Sequence, residues 1–120
     1  MGSGASLAFQ IANAGPTEYL VTGGGTQLWV DGIANTTILE AKFIGKPRSS
    51  PFIPGSSIAD PIRQKILIAV EDEFSRMQKI INDPSAPFLS VRIITNDSAA
   101  NPYFQSLLDK YNLHGEIINP

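Results

Sequence analysis

The longest periodic segment of the chain constrains its fold most strongly. Between Asp60 and Ile81, apolar residues recur at steps of three and four positions, which is typical of one buried helical stripe. Asp60 can cap a helix, Pro61 suits its first turn, and Asn82-Asp83-Pro84 suits its end. The stripe consists of Ile62, Ile66, Ala69, Val70, Phe74, Met77, Ile80 and Ile81.

Strand patterns lie on both sides of this predicted helix. Upstream, Leu28-Trp29-Val30 and Thr36-Thr37-Ile38-Leu39 predict two short strands that form a hairpin, with Gly32 and Asn35 in the turn. Gly23-Gly24-Gly25 predicts a flexible turn before that hairpin, and residues 21–25 offer a poor additional strand. We expect Trp29, the only tryptophan, to anchor the core rather than to stack on a base.

The C-terminal third predicts a strand, a helix and a strand. Residues 88–95 alternate and are rich in β-branched side chains, residues 102–111 show helical spacing, and residues 116–118 suit a final short strand. A unit of this kind places its two strands parallel. With a short helix over residues 7–14, the pattern predicts an α/β fold with a mixed, roughly four-stranded sheet flanked by helices.

The composition limits the classes of protein and of functional site that this chain can contain. A chain of 120 residues with 42% hydrophobic content suits one globular domain, which we expect over residues 7–120. Residues 1–6 are expected to be disordered, as a cloning remnant or a cut from a longer protein. The chain lacks cysteine and has one histidine, which excludes thiolate and His-rich metal sites. No apolar run is long enough to span a membrane, and the net charge of −2 argues against a nonspecific nucleic-acid binder.

The side chains that suggest a chemical function lie in the predicted hairpin. Period two places Glu40 and Lys42 on one face of the second strand, together with Ile38 and Ile44, and Asp31 arrives from the end of the first strand. Two neighbouring carboxylates repel each other unless a cation lies between them. Oxygen ligands of this kind suit Mg²⁺ or Mn²⁺, which can polarise a phosphate, and a nearby ammonium can stabilise negative charge.

These residues resemble a known family. Asp31, followed by Glu40-Ala41-Lys42, looks like the D…(D/E)xK signature of the restriction-endonuclease-like nucleases, and WVDGIANTTILEAKF is similar to the restriction-endonuclease-fold toxin domains of bacterial polymorphic toxins. The resemblance implies a metal-dependent nuclease, with Asp31, Glu40 and the Ala41 carbonyl on Mg²⁺ or Mn²⁺ and Lys42 in catalysis. It also implies a DNA or RNA substrate, a cognate immunity protein, and delivery by a secreted effector into the cytoplasm of a target cell.

Further residues are candidates for the same site. Glu18 would add a metal ligand from an early helix, as in the resembled nucleases, although a surface glutamate in a first helical turn explains it as well. The resemblance also implies a polar side chain, commonly Gln, that points from the helix after the acid-x-Lys strand towards the site, and Gln64 is the candidate in this chain. Lys46 and Arg48, in the loop of residues 45–57, would contact phosphates, although two basic residues in a loop can equally serve solubility alone. Arg63 belongs to the same local basic block and is a further candidate for substrate binding.

Two alternatives to a nuclease remain open. In a non-enzymatic α/β interaction domain, Glu40 and Lys42 would form an exposed ion pair of little energetic value, far from Asp31 and without a cleft. A small-molecule hydrolase is disfavoured, because the chain has no cysteine, a single late histidine, His114, and no nucleophile elbow.

Overall fold

A computed structural model describes residues 4–120 and shows an α/β fold. The described residues form three α-helices and six strands, with single 3₁₀ turns at Pro47–Ser49 and Ser98–Ala100. The elements follow one another as α1 (Gly4–Asn13), β1 (Tyr19–Gly23), β2 (Thr26–Val30), β3 (Gly32–Ala34), β4 (Thr37–Lys42), α2 (Asp60–Asn82), β5 (Ser90–Thr95), α3 (Asn101–Lys110) and β6 (Gly115–Ile118).

The main sheet contains four strands in the order β3-β4-β5-β6. β3 and β4 are antiparallel, whereas β4, β5 and β6 run parallel to one another. The predicted mixed, four-stranded sheet is therefore confirmed, as is the parallel strand–helix–strand unit formed by β5, α3 and β6.

The predicted pairing within residues 27–43 was wrong. β2 pairs with β1 in a separate two-stranded ribbon, and the partner of β4 is the short strand β3. The reason lies in the glycine triplet, since Gly24 and Gly25 both take positive φ angles, of 57° and 77°. A Gly-Gly loop is a favoured two-residue hairpin turn, so the segment expected to be a poor strand becomes a full partner for β2.

The core lies between the main sheet and helices α2 and α3. The buried side chains of α2 are Val70, Phe74, Met77 and Ile80. They form one cluster with Phe104 and Leu107 of α3 and with Ile38, Val91 and Ile93 of the sheet. The long helix is confirmed with nearly the predicted bounds, but its buried stripe begins only near Ile66, because Ile62 remains 55% exposed.

Helix α1 covers the edge of the sheet where β3 begins. The carbonyl oxygen of Ala14, just past α1, lies so close to Gly32 that a Cβ atom there would clash with it. The rings of Phe9 and Phe43 lie 5.5 Å apart. The helix starts at Gly4 rather than at the predicted Leu7, so residues 4–6 are helical and residues 1–3 lie outside the described part of the chain.

The expectation that Trp29 anchors the core was wrong. Its side chain is 63% exposed, and its cross-strand neighbour Leu20 is 44% exposed. The flanking Val21 and Val30 are only 3% and 1% exposed. The alternation of the strands therefore turns the valines inward and leaves Trp29 on the outer face of the ribbon. Across residues 4–120, no helix combines the length and apolar character needed to cross a membrane.

Candidate functional site

Asp31 and Glu40 lie side by side where the chain passes from the ribbon into the main sheet. The register pairs Gly32 with Leu39, so one further step brings Asp31 next to Glu40. The Asp31 amide donates to Oε1 of Glu40 at 3.3 Å, and the Ala41 amide donates to Oδ2 of Asp31 at 2.8 Å. Each carboxylate therefore accepts a hydrogen bond from the backbone of the other residue's strand.

Lys42 joins these carboxylates to helix α2. Its Nζ atom lies 3.6 Å from Oε2 of Glu40 and 2.8 Å from Oε2 of Glu73. The Lys42 side chain is only 14% exposed. Sequence reasoning missed Glu73, although its spacing carried a signal: it lies three residues after Val70 and four before Met77, both of which belong to the buried stripe.

Burial and charge repulsion govern the protonation of this site. Glu40 is 4% exposed. Burial, against the attraction of Lys42, raises the pKa of Glu40 to about 8, and the charges of Asp31 and Glu73 add to the rise. Burial also raises the pKa of Asp31, an effect that its hydrogen bond from Ala41 reduces. Burial lowers the pKa of Lys42, but the Glu40 and Glu73 carboxylates outweigh it, and the net pKa is raised.

The donor set fits a small divalent cation that keeps most of its water. Within residues 4–120, no three Asp, Glu, His or Cys side chains cluster closely enough to hold a metal by themselves. Mg²⁺ often takes only one or two carboxylates. The hydrogen bonds described above use one oxygen of Asp31 and one of Glu40, and the Lys42 ammonium lies 3.6 Å from the second Glu40 oxygen. The Ala41 carbonyl points to the same side of β4 as its amide, which faces Asp31. Burial is the main cause of the raised pKa of both carboxyl groups, and an added cation would stabilise their charged forms.

Comparison with known proteins identifies the family. A family model described as restriction endonuclease fold toxin 2 matches residues 5–114. The chain belongs to this family of restriction endonuclease fold toxins. Searches of curated proteins and of solved structures gave no significant match.

In the described part of this toxin domain, two of the predicted site residues, Gln64 and Glu18, form no hydrogen bond or ion pair with Asp31, Glu40 or Lys42. Gln64 is exposed in the first turns of α2, and it is Glu73, nine residues or about 13 Å further along the helix, that reaches Lys42. Glu18 was expected on an early helix, which was wrong, because it precedes strand β1 directly. Its exposed carboxylate still contributes to the raised pKa of Asp31.

The predicted phosphate contacts fall in the loop that follows β4. Lys46 and Arg48 are both exposed, and Lys46 lies four residues beyond Lys42, within about 14 Å of it along the chain. Arg63 instead donates to the carbonyl and the hydroxyl of Ser56, at 2.8 and 3.1 Å. It therefore ties the loop to the start of α2, while the roles of all three residues in substrate binding stay predictions.

Proposed function

We propose that this toxin domain is a metal-dependent nuclease that hydrolyses phosphodiester bonds of DNA or RNA. The observation that supports the proposal most directly is the network in which Glu40 contacts both Asp31 and Lys42 while Glu40 and Lys42 are nearly buried. A surface ion pair needs neither the burial nor the second carboxylate. The interaction-domain alternative required Glu40 and Lys42 to be exposed and far from Asp31, which this geometry contradicts.

In the proposed reaction, some residues of the site would bind the metal ion and another would stabilise negative charge on the phosphate. Asp31, Glu40 and the Ala41 carbonyl would hold Mg²⁺ or Mn²⁺, which supplies a Lewis acid and lowers the pKa of bound water. Lys42 would donate a hydrogen bond to the attacked phosphate and stabilise its developing negative charge. Glu73 would hold the Lys42 ammonium on the α2 side, at the 2.8 Å contact described above. The burial of Lys42 strengthens its interaction with a phosphate by excluding water.

An activity assay tests this proposal directly. Purified protein would be incubated with plasmid DNA and with total tRNA, in the presence of Mg²⁺, Mn²⁺ or EDTA. We expect cleavage of at least one substrate with metal, none with EDTA, and at least roughly a hundredfold loss in Glu40→Gln and Lys42→Ala. Glu116→Gln is the matched control, because it removes an exposed glutamate whose partner, Arg92, lies on the neighbouring strand. Cleavage that persists in EDTA or in either site variant would contradict the proposal.

Family membership supports the biological setting that we propose. The domain would be carried by a secreted bacterial effector, act in the cytoplasm of a target cell, and be blocked by a cognate immunity protein. Expression of the domain in bacterial cytoplasm should arrest growth, and Glu40→Gln should abolish the arrest. Equal growth arrest by the native protein and Glu40→Gln would show that the toxicity does not depend on this site.

A further inference from the structure

A groove lined by residues of the β1–β2 ribbon and of helix α2 lies directly beside the candidate nuclease site. It has a volume of about 350 Å³. Leu20, Leu28 and Trp29 line its apolar wall, and Asp72, Glu73 and Arg76 line its polar wall. Glu73 is the residue that contacts Lys42, so the groove and the candidate site share a side chain.

Two features make the apolar wall a firm platform. Leu20 and Trp29 face each other across the ribbon, and both are exposed. Arg76 donates to the carbonyl oxygen of Gln27 at 3.0 Å and pairs with Asp72 at 2.8 Å, which fixes the ribbon against α2. A Trp side chain has only two χ angles, so ordering its indole against a base has a low entropic cost.

The charges of the groove favour a flat uncharged group. Asp72 is paired with Arg76, and Glu73 is paired with Lys42, so each carboxylate of the polar wall has a cation beside it. A phosphate backbone gains little from such a balanced surface. A nucleobase gains stacking energy on an exposed indole whatever its sequence.

We propose that Trp29, supported by Leu20, stacks on an unpaired base next to the scissile phosphate, and that the substrates are single-stranded or looped nucleic acids. This inference rests on the proposed nuclease function. Trp29 lies two residues before Asp31, so the two Cα atoms are at most about 7 Å apart. A base within a duplex hides its faces against its neighbours and cannot reach the indole unless it leaves the stack. The platform therefore selects for bases that are already unpaired.

Fluorescence of the only tryptophan tests the stacking without any cleavage. Glu40→Gln protein in EDTA would be titrated with short single-stranded DNA and RNA oligonucleotides and with duplexes of the same sequence. We expect single strands to quench Trp29 and to bind more tightly than the duplexes. Absence of quenching by every nucleic acid would overturn the proposal. Equal quenching by duplexes would also overturn it.

Substitutions at Trp29 give an independent measurement. Binding of labelled single strands, followed by anisotropy, should be roughly 5- to 100-fold weaker in Trp29→Ala and largely restored in Trp29→Phe. The salt dependence of binding should not change, because no phosphate contact is removed. Leu89→Ala is the matched control, because Leu89 is also an exposed apolar residue, with 65% exposure. Its backbone amide donates a hydrogen bond to the carbonyl oxygen of Thr36, which places it at the opposite end of β4 from Lys42. If Trp29→Ala binds single strands with native affinity, the stacking proposal is wrong. The nuclease proposal is tested separately, and it fails if the native protein cleaves neither DNA nor RNA.

Discussion

Replacing Glu40 by glutamine should stabilise the metal-free protein while abolishing its activity. The carboxyl of Glu40 has a pKa of about 8 in the folded protein and near 4.5 in the unfolded chain. Between these values the folded protein keeps a proton that the unfolded chain releases, so the free energy of unfolding falls as pH rises through this window. The gap between the two pKa values corresponds to a loss of about 5 kcal/mol when complete. Relaxation around the buried charge reduces this loss, and we expect about 1–3 kcal/mol.

Urea unfolding in EDTA at pH 5 and pH 8.5 measures this effect. Far-UV circular dichroism is the suitable signal, because Trp29 is already 63% exposed in the folded protein. Glu40→Gln should match the native protein at pH 5 and exceed its unfolding free energy at pH 8.5, whereas the control Glu116→Gln should follow the native protein at both pH values. Mg²⁺ should then stabilise the native protein but not Glu40→Gln. A Glu40→Gln protein that is less stable than native at pH 8.5 without metal would refute the reasoning.

Two further substitutions test the support of the site. Glu73→Gln should lower kcat by about tenfold or more with little change in KM, because Lys42 loses the carboxylate that positions it. Glu71→Gln alters a glutamate of the same helix that pairs instead with Lys110 of α3, and it should leave kcat unchanged. Equal kcat in both variants would contradict a positioning role. Gly32→Ala should lower the unfolding free energy by about 1–3 kcal/mol in the same urea assay, because the new methyl group would clash with the Ala14 carbonyl oxygen, and native stability would show that α1 moves aside without cost.

Local patterns predicted the elements of this fold better than their pairing. The stripe from Ile66 to Ile81 and the alternation over residues 88–95 specify a helix and a strand through side chains that are close in sequence. The partner of β2 depended instead on the turn at Gly24 and Gly25, whose positive φ angles direct the chain back onto β1. The same turn also determined the exposure of Trp29. An aromatic residue in a strand is buried or exposed according to which face of the strand is covered by other elements.

In the candidate site, too, the residues that are close in sequence were predicted and the residue that depends on packing was not. Asp31 directly precedes β3, and Glu40 and Lys42 lie on its partner strand β4, so a turn between residues close in sequence brings them together. Glu73 comes from a helix, 31 residues after Lys42, and its approach depends on how α2 packs on the sheet. Spacing along a strand carries no information on that packing. The prediction of Gln64, near the start of the helix, came instead from the resemblance to restriction-endonuclease-like nucleases.

The passage of the chain from one sheet to the other explains why acids occupy this position. Asp31 is the single residue between β2 and β3, so the regular strand pairing ends there and would leave the amides of Asp31 and Ala41 without strand partners. The carboxylates of Glu40 and Asp31 accept hydrogen bonds from those two amides. A buried amide without a partner costs about 1–3 kcal/mol, so the two acids stabilise the junction that holds them together. Fold and proposed chemistry thus depend on the same contacts. A variant that removes the acceptor oxygen, such as Asp31→Ala, should therefore disturb the strand junction as well as the metal site, whereas Glu40→Gln keeps an acceptor and should disturb the metal site alone.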